Sequence, residues 1–336
     1  MRLDDAELNG RLQEHLNSAP RKELGPLAHG KVTNLRLHDR QGLSNETYTL
    51  RVEAEDGSGI ELILRLYNGD GKKAGEEFRL LGFLHGRGLP VPRVYLLGED
   101  RKVLGKPFIL MERICAERPA DAQEMLDSAA RSLAAIHSLD GDELQGILEK
   151  KDDYPSRELR SIKALAAVSA FSTLKLPTTS LRCWRYASRL GKEPVKPRLK
   201  LIHGDCGFDN MVYSRGKAYL IDWESADIAE PTYDVAYAYN LLEFQEKLAG
   251  RPQLELPEMF LEAYKRNGGT LRDLPFYRKL AALKLLALID AATTPGLIAL
   301  LTGGLRRLKR DKETHLFLEN FKAHLSDILA TSDPWS

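Results

Sequence analysis

The chain has 336 residues, long for one hydrophobic core and short for three, so two lobes are expected. With 43% apolar and 29% charged residues and a formal net charge of +1, it lacks the field that would hold a nucleic-acid backbone or an anionic membrane, which argues against both partners. Three separated cysteines (Cys115, Cys183 and Cys206) with no CxxC pair argue against a disulfide framework or a structural zinc site.

From the start, MRLDDAELNG carries no charged-then-apolar leader, and residues 1–30 are expected to be a helical extension. Val32–Leu37, Thr47–Val52 and Ile60–Leu66 alternate and are rich in β-branched residues, which predicts strands; Glu55-Asp56-Gly57-Ser58-Gly59 predicts a hairpin turn. Ala74–Gly86 has helical spacing and must end before Leu89-Pro90-Val91-Pro92, because proline cannot continue a helix. Strands are predicted again at Arg93–Leu97 and Pro107–Glu112, and a helix at Met125–His137. Most of 156–190 and 231–328 also reads as helix. Its most apolar run, Leu280 to Ala292, is interrupted by Lys284 and Asp290 and is too short to span a bilayer, so a buried helix of a cytoplasmic protein is expected. The layout is α+β: a β-rich N-terminal lobe with one main helix (1–113) and a mostly helical C-terminal lobe (114–336).

One island interrupts the second lobe. Leu199–His203 and Ala218–Asp222 are apolar runs bracketing a polar loop, Gly204-Asp205-Cys206-Gly207-Phe208-Asp209-Asn210, and the run after it ends Ile221-Asp222-Trp223-Glu224. Phosphoryl transfer asks little covalent chemistry of a protein. It needs a group to orient the attacking hydroxyl and a few hard oxygen ligands for a magnesium ion on the phosphates. An Asp closing one strand, an Asn five residues on and a further Asp closing the next strand suit that task, if the two runs fold back as a hairpin. Asn210 and Asp222 would then converge on the ion while Asp205 faces the acceptor.

The ordered set HGDxxxxN, an apolar strand, IDWE and then Glu230-Pro231-Thr232-Tyr233-Asp234-Val235-Ala236 resembles the aminoglycoside phosphotransferase and choline kinase superfamily. That resemblance implies a bilobal protein-kinase-like fold whose N-terminal lobe binds ATP, with Mg2+ as cofactor and a small-molecule hydroxyl acceptor: an aminoglycoside, an amino alcohol such as choline, or a sugar. It makes Asp205 the catalytic base, Asn210 and Asp222 magnesium ligands, Glu224 a further ligand or a support for one, and Asp234 a structural brace. His203 is given no chemical role. The absence of APE and of a long activation segment separates the chain from protein kinases, and intact Asp205, Asn210 and Asp222 argue against a catalytically impaired nucleotide-binding module.

A kinase also requires a strand cation for the phosphates and a helical acid to hold it. Arg65 is the one basic residue of Ile60–Leu66, and Glu77 shares the apolar stripe of Leu80, Leu81 and Leu84, where a buried carboxylate needs a partner; Glu76 falls beside it. An Arg65–Glu77 pair is therefore expected, with arginine where most relatives of this type have lysine. Gly42-Leu43-Ser44-Asn45-Glu46-Thr47-Tyr48 is similar to the family's phosphate-covering loop, which makes Ser44 and Asn45 candidates. Phe108–Ile114 looks like its adenine-binding hinge, with Met111 and Arg113 as candidates. Cys206 is read as a packed small residue. Trp184, Tyr186, Trp223, Tyr233, Tyr237, Tyr239 and Phe244 could in part line a cage for a quaternary ammonium, although helical aromatics are more often core. Arg306-Arg307-Leu308-Lys309-Arg310 reads as a solvated helix face.

Overall fold

The computed structural model describes residues 4–18, 30–38, 45–54, 57–69, 71–149, 153–172, 178–293 and 312–330. Ser44, the Glu55-Asp56 turn and the Arg306–Arg310 cluster lie outside the described residues. The chain forms two compact units: one holds the residues up to Arg118 together with Tyr219–Glu224, the other the remainder.

The first unit is built on a five-stranded antiparallel sheet in the order β1-β2-β3-β5-β4 (β1 Lys31–Leu37, β2 Asn45–Glu53, β3 Gly59–Tyr67, β4 Val94–Gly98, β5 Phe108–Glu112). In the ladder Arg65 lies opposite Thr47 of β2 and Ile109 of β5, so it occupies a central strand rather than an edge. Helix α1 (Asp5–Ser18) buries Leu8, Leu12 and Leu16, one residue per turn, into the same core as Leu50, Leu62, Leu64 and Phe108. Burial of each such leucine contributes about 2 kcal/mol, so the N-terminal helix is part of this unit's core. Helix α2 (Lys72–Gly86) buries Glu77, Leu80, Leu81 and Leu84, the stripe its spacing predicts. A single turn, α3 (Arg101–Leu104), capped by the Asp100 carboxylate accepting from Lys102 N at 2.8 Å, was not expected from the sequence. Tyr219–Glu224 joins the unit through Leu220 N–H, which donates to Pro90 O at 2.9 Å.

The second unit is helical: α4 (Ala122–His137), α5 (Ser156–Ser172), α6 (Thr178–Leu190), α7 (Thr232–Ala249), α8 (Leu256–Arg266), α9 (Leu274–Thr293) and α10 (Lys312–Ala330). As expected, Leu280–Ala292 falls inside a single helix, α9. Its Leu280, Leu283, Leu286 and Ala287 pack in a core with Ile162, Tyr233, Phe244 and Leu325. No helix among the described residues is long and apolar enough to cross a membrane.

The island folds differently from the expected hairpin. β6 (Lys200–Ile202) pairs antiparallel with β9 (Asp227–Ala229), whereas β7 (Met211–Ser214) pairs with β8 (Lys217–Leu220). The reason is local. Met211-Val212-Tyr213-Ser214 is a strand in its own right, and Arg215 and Gly216, at φ 51° and 70°, make the two-residue turn with positive φ that favours a hairpin right after it. The run 199–203 is thereby left to pair with the next extended segment, 227–229.

Candidate active site

In the second unit the segment from His203 to Asn210 is held by Asp234, three residues into α7. Its Oδ2 accepts from His203 N–H at 2.6 Å and its Oδ1 from Gly204 N–H at 2.9 Å. The ring of His137, from the end of α4, lies 3.1 Å from the same Oδ2 through Nε2, and its Nδ1 is 2.8 Å from the Tyr264 hydroxyl. A fully buried carboxylate is costly unless its oxygens are satisfied, and here backbone amides and an imidazole supply the partners. Gly204 has φ +80°, and a Cβ there would stand 2.1 Å from Ser225 O. Only glycine closes that turn. His203 is itself fully buried and its Nδ1 lies 3.3 Å from Asp205 N, a framework position.

This frame presents Asp205 with both carboxylate oxygens engaged. Tyr237 donates its hydroxyl to Oδ1 at 2.6 Å, and Asn210 Nδ2 donates to Oδ2 and to the Asp205 carbonyl, each at 3.0 Å. The amide nitrogen of Asn210 is thus spent within the loop, and its oxygen is the atom suited to a hard cation. Burial, reinforced by the Asp205 charge, pushes the Tyr237 phenol well above its ordinary range, so it stays protonated and donates. Cys206 is buried, and burial together with the charges of Asp234 and Asp205 raises its thiol far from any reactive value.

In the first unit Arg65 sits between two carboxylates. Its Nη1 is 3.0 Å from Glu77 Oε1 and 2.9 Å from Asp222 Oδ1. Tyr67, two residues further along β3, donates its hydroxyl to the other oxygen of Glu77 at 2.6 Å. Burial opposes the charge on this guanidinium, but Glu77 and Asp222 outweigh it and hold Arg65 firmly protonated. Its Nε is buried and has no hydrogen-bond partner among the described residues. A buried donor without an acceptor is rare and costly, and an oxyanion is the chemistry that would satisfy it. Asp222 has φ +65°, the left-handed region that non-glycine residues seldom adopt and that tends to mark functional positions.

The remaining candidates of this unit make contacts of their own. Asn45, the first residue of β2, donates to Glu224 Oε2 at 2.6 Å. Met111 is buried and paired with Ile63 and Val94, while Arg113 N–H donates to Glu61 O at 3.0 Å and its guanidinium to Glu61 Oε2 at 3.3 Å. Those backbone bonds leave no free amide at Arg113. Glu76, outside the stripe, lies 3.7 Å from Lys72.

The family model of the phosphotransferase enzyme family matches residues 38–280, most of the chain. The chain belongs to that family. Acyl-CoA dehydrogenase family member 10 of Mus musculus is 28% identical over 224 residues, covering 59% of this chain but only 19% of the mouse protein. Among solved structures, the choline kinase LicA of Streptococcus pneumoniae superposes with a TM-score of 0.59 at 16% identity, covering 93% of this chain and 98% of that one. The streptomycin-ATP-APH(2")-IIa ternary complex superposes with a TM-score of 0.57 at 16% identity, covering 99% and 98%. These likenesses carry the α+β kinase-like fold.

Two side chains that contact the proposed site residues, one in each unit, escaped the sequence. Tyr67 is not singled out there and Tyr237 reads among the aromatics more often found in a core; only their spacing could have flagged them: two residues from Arg65 on a strand and three from Asp234 on a helix, each on its partner's face. The proposed ammonium cage fares differently. The Tyr237 hydroxyl is taken by Asp205, the Tyr239 ring already carries the Arg278 guanidinium at 4.2 Å, and Trp184 is 47% exposed.

Proposed function

We propose that the protein transfers the γ-phosphoryl group of ATP to a hydroxyl of a small molecule. The observation that carries this reading is Arg65: a buried guanidinium tethered by Glu77 and Asp222, with Nε unspent. Such a group is built to meet a phosphate oxygen. The name of the ternary complex given above, with ATP bound, supports ATP as donor.

In this reading Asp205 accepts the hydroxyl proton at a carboxylate oxygen as the acceptor oxygen attacks the γ-phosphorus. The bond from that phosphorus to the β-bridging oxygen breaks, and ADP leaves with the bond's electron pair. Asn210, through its amide oxygen, and Asp222, through the oxygen that Arg65 does not hold, are the proposed magnesium ligands; both are hard oxygen donors. Bound magnesium would screen the phosphate charge. Glu224 supports that set by holding Asn45, and Ser44 and Asn45 are proposed to cover the phosphates. Met111 and Arg113 flank the proposed adenine edge. Arg65 draws the α/β-phosphates, and Glu77 with Tyr67 fixes where Arg65 points. The protein is proposed to be a cytoplasmic enzyme whose partner is the acceptor, with the nucleotide served by residues before Arg118 and the acceptor by the helical remainder.

For the acceptor, aminoglycosides, amino alcohols and sugars remain the first class. A hydroxylated acyl-CoA is a second, favoured by one observation: the mouse relative bears an acyl-CoA dehydrogenase name while sharing this segment. ATP consumption measured with magnesium against aminoglycosides, choline, ethanolamine, sugars, hydroxy amino acids and a hydroxyacyl-CoA tests both. Consumption stimulated by one class identifies the acceptor. No magnesium-dependent consumption with any of them would contradict the reading.

A further inference from the structure

Helix α7 has two residues on one face, a turn apart, that both reach the 203–210 loop. Asp234 takes the backbone N–H groups of His203 and Gly204, and Tyr237 takes the side chain of Asp205. We propose that Tyr237 is a positioning residue for the reaction, fixing the carboxylate of Asp205 in the orientation that receives the acceptor's proton; this rests on the reading of Asp205 as the base.

The argument is geometric. The torsion that turns an aspartate carboxylate is broad and roughly two-fold, so an unanchored Asp205 would present its oxygens in many directions. Two anchors on different elements remove that freedom: the Tyr237 hydroxyl at 2.6 Å from Oδ1, and Asn210 Nδ2 at 3.0 Å from Oδ2. Both donors fill one acceptor direction on their oxygen, and each carboxylate oxygen has a further lone pair with which to take a proton. The tyrosine cannot wander either. Its ring is buried, with the Tyr233 ring 6.3 Å away, and its hydroxyl retains its proton. A phenylalanine would pack as well in that slot, so packing alone does not account for the oxygen. Among the described residues of the second unit its one hydrogen-bond partner is the carboxylate on which the proposed chemistry turns.

Tyr237→Phe deletes that single oxygen atom. The readouts are magnesium-dependent ATP hydrolysis, with water as the acceptor, binding of a fluorescent ATP analogue, and the melting temperature. The proposal expects kcat to fall by about 10- to 100-fold, the scale of a misoriented base. KM for ATP and affinity for the analogue should stay within about two-fold, and the melting temperature should drop by only about 2–4 °C. Adding Tyr237→Phe to Asp205→Asn should slow the enzyme no further, because a residue acting through Asp205 has nothing left to position. A kcat within two-fold of wild type, an independent loss in the double variant, or loss of nucleotide binding together with the rate would each overturn the proposal. Full hydrolysis by Asp205→Asn, or no magnesium-dependent ATP consumption by the wild type with water or with any acceptor of the panel, would instead bring down the reading on which it rests.

Discussion

Arg65 is the residue whose replacement separates stability from chemistry most clearly. Removing one partner of a buried ion pair strands the other, and Glu77 is 3% exposed. Arg65→Ala is therefore expected to cost about 3–5 kcal/mol in a urea titration. Arg65→Met together with Glu77→Leu should recover most of that loss without restoring nucleotide affinity; equal costs for the single and double variants would refute the coupling. Tyr67→Phe, which withdraws one donor from the same carboxylate, should cost about 1–2 kcal/mol. The cysteines give a second test at this scale. Burial, and then the charge of Asp290, raises the Cys183 thiol to about 12, Cys206 is raised likewise, and Cys115 is exposed. A disulfide reagent at neutral pH is expected to label Cys115 quickly and the other two only after unfolding. Rapid labelling of Cys206 would mean that the loop around Asp205 is not packed as described.

At the scale of elements, α7 is the template for the loop, and the segment leading into it is pinned separately. Glu230 is fully buried, and Arg198 binds it through backbone and side chain, with N to Oε2 at 2.8 Å and Nε to Oε1 at 3.1 Å. Burial works to raise this carboxyl, but the Arg198 hydrogen bonds and Thr232 outweigh it and lower it below the ordinary glutamate value. A depressed folded-state value means that the stabilisation is complete above the unfolded-state value, about 4.3, and is lost as pH falls through the folded one. Glu230→Gln should therefore cost about 2 kcal/mol near neutrality, with a gap to wild type that narrows below about pH 4. A gap that widens on acidification would contradict the sign. Most elements were legible: the stripe of α2 gave both its type and its facing, while the β-branched and apolar content of β2 and β3 gave their type but not their facing, since β3 ends in four consecutive buried residues. The island was not. Strands of three or four residues carry too little periodicity, and only the Arg215-Gly216 turn signalled that β7 and β8 pair with each other.

For the whole molecule, the residues proposed to bear the chemistry were more legible in the sequence than the contacts around them. Asp205, Asn210 and Asp222 stand in an ordered motif, and Arg65 and Glu77 follow from one strand cation and one acid on a buried stripe. Three features had no local signature: the left-handed backbone of Asp222, the Arg65–Asp222 contact and the Tyr237–Asp205 hydrogen bond. Two of them join residues distant in sequence, and the first is set by the tertiary frame rather than by side-chain type. The acceptor is illegible for a related reason, since most of the motif residues are proposed to serve the phosphate donor. The measurement that bears most directly on the central claim is transfer of the labelled γ-phosphoryl group from magnesium ATP, by wild type and by Asp205→Asn, to whichever acceptor the panel selects. The account predicts a stoichiometric phosphorylated product with wild type and a loss of about 100-fold or more with Asp205→Asn, whose melting temperature and ATP affinity stay close to wild type. Undiminished transfer by that variant would contradict it.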